Sequence, residues 1–313
     1  MSRALVFPGQ GSQAVGMGRD LAGAFTTARD VFAEIDEALH QNLSRIMFEG
    51  PESDLVLTEN AQPALMAASL GVARVLERDG GLDLKRHVAF VAGHSLGEYS
   101  ALAAAYALGV ADAARLLKRR GLAMQRAVPV GLGAMAAFLG VELDLARDIA
   151  AAAAQGEVCD LANDNGAGQI VLSGHTTAVE RAVAIAAERG VRRSIMLPVS
   201  APFHCALMKP AADEMEEALE EVRFAEPWVP LVANVSAAPV RDAVEIKQLL
   251  VAQVTGLVRW RECILAMKEQ GVHEFIELGA GRVLSGLTKR IDRELTGSAI
   301  GTPAEIEAFL KTI

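Results

Sequence analysis

Residues Gly93-His94-Ser95-Leu96-Gly97 constrain this chain of 313 residues more than any other stretch. They follow Val88–Ala92, a continuous apolar run bounded by a glycine and therefore read as a fully buried strand. They precede the helical stretch "GEYSALAAA". G-x-S-x-G between a strand and a helix is a nucleophile elbow, and its turn is too tight for side chains beside the serine. It lifts the Ser95 hydroxyl above the carboxyl edge of the sheet. There the helix N-terminus and the amide of Leu96 can stabilise a developing oxyanion. Ser95 is thus a candidate nucleophile; the alternative is a structural glycine turn.

The rest of the chain supplies the sheet that such an elbow requires. Ala4–Phe7 reads as a buried strand, Leu21–Leu39, Ala64–Asp79 and Ala111–Val128 as helices, and this alternation implies parallel βαβ units. Half the residues are hydrophobic (51%), only 22% are charged and 4% are aromatic, which suits helices packed on a parallel sheet. From Leu132 to Pro198 the rhythm changes. Strands Ala134–Val141, Val158–Ala162, Gln169–Ser173 and Arg193–Leu197 alternate with helices Leu145–Ala154 and Thr177–Arg189, the β-α-β-β-α-β order of a ferredoxin-like unit. Beyond it, Cys205–Val222, Ile246–Val254, Arg261–Gln270 and Val283–Ile291 read as helices, and Pro230–Val235 and His273–Leu278 as strands. The expectation is an α/β fold: a large hydrolase-like parallel-sheet domain, residues 1–130 and 199–313, with an inserted ferredoxin-like small domain, residues 131–198.

A serine nucleophile needs a base. His94 adjoins the serine inside the elbow and cannot turn back onto its hydroxyl. His273 opens a strand and so lies at the opposite edge of the sheet. His40 and His87 sit in polar stretches, and His175 lies in the insert beside the helix cap Thr176. His204 follows Arg193–Leu197 through "PVSAPF", at the carboxyl end of a strand, and is the one histidine expected at the correct edge. Arg120 shares the apolar face of its helix with Ala113, Leu116, Leu117 and Met124. A guanidinium there must find an anionic partner. Spacing leaves two readings open: a structural salt bridge, or a carboxylate on a substrate.

The loop "VFPGQGSQAVGMG" matches the G-x-G-x-x-[GA] pattern of a dinucleotide-binding turn at Gly9, Gly11 and Ala14. That reading requires an acidic residue ending a second strand about 20 residues on. Here that distance falls inside the helical Leu21–Leu39, so the phosphate reading fails on context.

Several function classes drop out on composition. A net charge of −9 argues against a nucleic-acid surface, although Lys118-Arg119-Arg120 and Lys289-Arg290 could meet an acidic partner. Cys159, Cys205 and Cys263 show no C-x-x-C or metal-ligand spacing, so no metal is expected and a reducing compartment is. No charged n-region with an apolar h-region opens the chain, and no apolar run reaches the roughly 18 residues of a membrane span. The expected location is cytoplasmic, away from membranes.

"FPGQGSQ", "AGHSLGEYSALAAA", "RRGLAMQ", "GAMAAFLG", "NDNGAGQIVLSG", "FHCALMKPAA" and "ELGAGRVLSGLTKRI" together resemble the malonyl-CoA–acyl carrier protein transacylases, the acyltransferase family of fatty-acid and polyketide synthesis. The likeness runs from residue 3 to about 293. It implies a serine–histidine dyad without a third acid, a covalent malonyl-serine and an arginine gripping the free carboxylate, roles that fall on Ser95, His204 and Arg120. It implies further that the glycine loop offers the Gln10 amide as the second oxyanion donor. A main-chain carbonyl near Gln253 would orient the histidine. Phe203, before the histidine, stands where relatives choosing malonyl over methylmalonyl tend to have phenylalanine; with Met124 it would wall the pocket. The implied partners are malonyl-CoA and an acidic holo acyl carrier protein. No cofactor is implied, because coenzyme A and phosphopantetheine enter as substrate parts.

Two rivals belong to other classes. A thioesterase or lipase-like serine hydrolase would need an acid after the nucleophile and a C-terminal histidine following a strand, whereas His273 precedes its strand. A non-enzymatic chaperone for a carrier protein would have no use for Ser95, His204 and Arg120 together.

Overall fold

The computed structural model describes residues 2–312. Its strands are β1 (Ser2–Phe7), β2 (Phe90–Gly93), β3 (Gly133–Leu139), β4 (Cys159–Asp164), β5 (Gln169–His175), β6 (Arg193–Met196), β7 (Leu231–Val232), β8 (Pro239–Val240), β9 (Val272–Leu278) and β10 (Thr296–Ile300). Six of them form one sheet in the order β10-β9-β1-β2-β7-β8. All its neighbouring pairs are parallel except the short hairpin β7–β8. β1 shows why the sheet is covered on both faces: Leu5 and Phe7 enter one apolar cluster, Ala4 and Val6 another. A two-residue side-chain period with no polar face requires that.

The other four strands form an antiparallel sheet, β4-β5-β3-β6. With helices Leu143–Ala154 and Thr176–Glu188 packed on Phe138, Ile170 and Leu172, this is the ferredoxin-like arrangement. Backbone contacts seat this sheet beside the elbow. Asp164 N–H donates to the Val258 carbonyl and Val258 N–H to that of Ala162, each at 2.9 Å. Arg261 pairs with the buried Asp164 at 2.9 Å.

Several elements differ from the sequence reading. Leu21–Leu39 is two helices, Arg19–Ala24 and Thr26–Leu39, parted at Phe25, whose backbone is extended. The helix expected over Cys205–Val222 spans Lys209–Glu220 after a 3₁₀ turn, because Cys205 is extended and His204 has a left-handed φ of 58°. The strand expected over Pro230–Val235 shrinks to Leu231–Val232: the Asn234 N–H goes to the Glu98 carboxyl instead of a neighbouring strand. After Ile291 the structure adds β10 and helix Pro303–Leu310, which carries a Thr302/Glu305 capping box. Among the described residues no helix is long and apolar enough to cross a membrane.

Candidate active site

The elbow is set by steric necessity. A Cβ at Gly93 would run into the main chain of Gly97, and a Cβ at Gly97 into the Phe7 carbonyl. Between them Ser95 takes a left-handed φ of 55°, a conformation that costs a non-glycine residue on the order of 1–3 kcal/mol. Asn234 braces the turn from both sides. Its Oδ1 accepts the Ser95 N–H at 2.8 Å and its Nδ2 donates to the Gly93 carbonyl at 2.7 Å. The glycine loop after β1 closes on the same turn: a Cβ on Gly9 would stand 2.8 Å from the His94 carbonyl oxygen. Among the described residues the N–H groups of Gln10 and Leu96 have no other acceptor.

His204 lies 2.8 Å from the Ser95 Oγ through Nε2, and its Nδ1 lies 2.8 Å from the Gln253 main-chain oxygen. A carbonyl only accepts, so Nδ1 carries the proton and Nε2 is free to take one from the serine. His204 does not arrive by the route expected from sequence. The strand before it, β6, belongs to the antiparallel sheet, so a carboxyl end shared with the Ser95 sheet is not what brings the two together. The segment after β6 crosses from one sheet to the other. Burial pushes the imidazole pKa down to about 3, assisted by the nearby Arg120 charge. The ring is therefore neutral at physiological pH.

Of the other described histidines, none is hydrogen-bonded to the Ser95 hydroxyl, although His94 lines the same cavity as Ser95. His94 donates from Nε2 to the Asn165 Oδ1 at 2.9 Å and packs on Trp260, and burial lowers its pKa. His175 precedes its helix and takes the Val158 N–H on Nδ1.

Arg120 is 1% exposed and makes no ion pair among the described residues. The structural salt bridge left open by its spacing is absent. Its Nη1 donates to Gln62 Oε1 at 2.8 Å, and its Nη2 to Gln253 Oε1 at 2.9 Å and to the Ser95 Oγ at 3.1 Å. Its Nε has no partner. The other basic residues of that run are engaged as well. Lys118 donates to Gln41 and Asn60, and Arg119 faces Glu214, Glu217 and Glu221. Residues 118–120 are not a free basic patch, since an amphipathic helix puts them on three different faces. Lys289 and Arg290 are exposed at the end of helix Val283–Ile291.

Gln10, Ser95, Leu96, Arg120, Met124, Phe203 and His204 line one cavity of about 400 Å³, together with Gln62, Met135 and Val199. Gln253 is fully buried behind it. Three contributors escaped the sequence reading: Gln62, Asn234 and Glu98. Gln62 and Glu98 leave a signal, a polar residue inside a helix otherwise almost wholly buried, whereas Asn234 lies beyond the end of β7 and leaves none. Gln62 lies in helix Thr58–Arg74 and Glu98 in helix Gly97–Ala104, both buried on nearly every side. The three cysteines are free and buried, with burial pushing the Cys205 thiol up to about 11.

Residues 4–294 match the acyl transferase domain family. The chain is 44% identical to the malonyl CoA-acyl carrier protein transacylase of Escherichia coli (strain K12), covering 98% of each sequence. It is 43% identical to the protein of that name from Bacillus subtilis (strain 168), over 99% of this chain and 96% of the relative. Among solved structures, the acyl-carrier-protein-S-malonyltransferase of Bartonella henselae is 52% identical with a TM-score of 0.97, covering 100% of this chain and 99% of that one. A malonyl-transacylase in complex with its holo type II PKS acyl-carrier protein has a TM-score of 0.96 at 42% identity, covering 100% of both chains.

Proposed function

The chain belongs to the acyl transferase domain family, and from that membership we propose that it moves the malonyl group of malonyl-CoA onto the phosphopantetheine thiol of holo acyl carrier protein. The observation that carries the reading is the position of the Ser95 Oγ, 2.8 Å from a neutral imidazole and 3.1 Å from a buried guanidinium without an ion pair. The first half-reaction begins as the Ser95 oxygen attacks the thioester carbonyl and its proton passes to His204 Nε2. The oxyanion that forms is met by the Gln10 and Leu96 amides. The carbon–sulfur bond then breaks, the coenzyme A sulfur takes the proton from His204, and malonyl-Ser95 remains. The carrier thiol reverses the sequence, giving its proton to His204 and leaving with the malonyl group as Ser95 recovers its own.

Arg120 would grip the free carboxylate throughout, a planar fork suited to bidentate pairing. Phe203 and Met124 wall the space beside the substrate's α-carbon, and Gln253 holds His204 in the productive tautomer. Coenzyme A and phosphopantetheine enter as parts of substrates, and the reaction so written draws on no resident cofactor. We assign the transfer to the supply of extender units for fatty-acid synthesis in the cytoplasm, a location that the free thiols support. Residues 131–198 act as a small domain set into residues 1–130 and 199–313. The exposed Lys289 and Arg290 offer an acidic carrier a place to dock.

The experiment is mass spectrometry of the protein after malonyl-CoA, followed by addition of holo carrier. A malonyl adduct on Ser95 that moves to the carrier is expected, with no adduct in Ser95→Ala. Free malonate produced without carrier would mean a hydrolase instead.

A further inference from the structure

Behind the reacting groups lies a carboxyl group that the transfer chemistry does not use. Glu98, in the first turn of helix Gly97–Ala104, is 1% exposed. Its Oε1 accepts the Asn234 N–H, and its Oε2 accepts from Gln253 Nε2. Both partners go on to hold the site. Asn234 clasps the elbow through the Ser95 N–H and the Gly93 carbonyl. Gln253 donates from Nε2 to the Ser95 carbonyl at 3.0 Å, accepts Arg120 on Oε1 at 2.9 Å and accepts His204 on its main-chain oxygen at 2.8 Å.

We propose that Glu98 is a positioning residue for acyl transfer: its buried carboxylate fixes the direction of Asn234 and Gln253, and through them the mutual placement of Ser95, His204 and Arg120. The proposal deepens the malonyl-transfer reading and rests on it.

A side-chain amide has two unlike ends. Turned over, Gln253 would aim its NH₂ at a guanidinium and its oxygen at three other oxygens, those of Glu98, Ser95 and the Asn234 side chain. Every contact would then be mismatched in a buried place, where an unmade hydrogen bond is expensive. Only a group made of acceptors at position 98 keeps the amide in its observed sense while also taking the Asn234 N–H. An ionised carboxylate is such a group. Burial outweighs the Asn234 and Gln253 donors and the Arg120 charge and raises its pKa to about 8, so it is the geometry, one N–H donor on each oxygen, that matches the ionised form.

Glu98→Gln tests this, since it keeps the shape but carries one donor and one acceptor, leaving either Asn234 or Gln253 facing an NH₂. Rapid mixing with malonyl-CoA separates placement from folding: the burst amplitude counts intact sites and the burst rate reports acylation. The amplitude should match the wild type, the rate should fall about 10- to 100-fold, the worth of one charge-assisted hydrogen bond, and the KM for malonyl-CoA should hardly move. A wild-type burst rate, or a loss confined to amplitude, overturns the proposal. Should E98Q not fold, Glu98→Asp keeps the charge on a shorter arm and must show the same split. Absence of any malonyl burst in the wild type would instead sink the malonyl-transfer reading. A phosphonofluoridate probe, which reacts with the serine directly, then still reports whether E98Q slows Ser95.

Discussion

The Arg120 Nη2 stands 3.1 Å from the Ser95 Oγ, so the nucleophile has beside it a guanidinium with which no carboxylate of the described residues forms a salt bridge. Two consequences follow for substrate choice and for pH.

For substrate choice, a malonyl carboxylate can pair with the guanidinium and an acetyl group cannot. Leaving one partner of a buried pair unmatched costs about 3–5 kcal/mol. At tenfold per 1.4 kcal/mol this is roughly a hundredfold to a few thousandfold in preference. In Arg120→Ala the ratio of kcat/KM for malonyl-CoA over acetyl-CoA should collapse by that order while the melting temperature holds. An unchanged ratio in a folded variant would remove Arg120 from the carboxylate site.

For pH, His204 is held neutral, with its pKa pushed down to about 3 by burial and then by Arg120. A base of ordinary pKa, about 6.5, would lose activity through that value on acidification. The acylation kcat/KM should instead show no His204 limb between about pH 8 and about pH 5. Replacing Arg120 by Gln removes the second cause, and the acid limb should move upward. A wild-type profile that halves near 6.5 would show that burial and Arg120 do not hold His204 neutral.

The same depression destabilises the fold in acid. The unfolded histidine takes up a proton below about 6.5, whereas the folded one stays neutral until about 3. Its contribution to stability is complete above the unfolded value and is lost as pH falls through this window, at about 1.4 kcal/mol per pH unit for one proton. Unfolding free energies of His204→Asn should fall less steeply with acidification by about that slope. An identical slope in the two proteins would mean that His204 is protonated in the fold.

The glycine loop and the elbow should answer differently to added methyl groups. Gly97→Ala pushes a Cβ into the Phe7 carbonyl of the central strand, and the variant should melt far lower or fail to fold. Gly9→Ala meets the His94 carbonyl at 2.8 Å, where the loop can yield and carry the Gln10 amide with it. Its signature is a lower kcat with a nearly unchanged melting temperature. Wild-type kcat in Gly9→Ala would show that the Gln10 amide does not serve the reaction.

Carrier recognition separates the two basic runs. Lys289→Glu with Arg290→Glu should raise the KM for the carrier, more so at low salt because exposed charges are screened, and leave that for malonyl-CoA alone. Arg119→Glu, which breaks pairs to Glu214, Glu217 and Glu221, should lower the melting temperature instead. Carrier KM unaffected by the 289–290 pair would place docking on another face.

What could be read from the chain alone was local in origin. Hydrophobic period marked the buried strands and the amphipathic helices, since two neighbours along the chain suffice to define a face. Two glycines flanking a serine betrayed the elbow: a clash with Gly97 inside the five residues demands Gly93, although the Phe7 carbonyl that demands Gly97 lies far off in sequence. The break at Phe25 and the short β7 could not be read this way: Leu21–Leu39 keeps its apolar period across the break, and β7 ends where a carboxyl group 136 residues away takes the Asn234 N–H.

The site's wiring belonged to the tertiary structure for the same reason. Arg120 could be placed on a core-facing stripe from its spacing, yet its lack of an ion pair depends on what surrounds it in space. Gln253 came forward only through family likeness and as a main-chain carbonyl, while its side chain also reaches the Ser95 carbonyl across 158 residues of sequence. Sequence alone determined which residues carry reactive groups and which stretches form the sheet beneath them, because steric and hydrophobic demands act on near neighbours. Only the fold decided which way each buried donor and acceptor points, because a hydrogen bond depends on distance and angle between atoms that the chain order does not bring together.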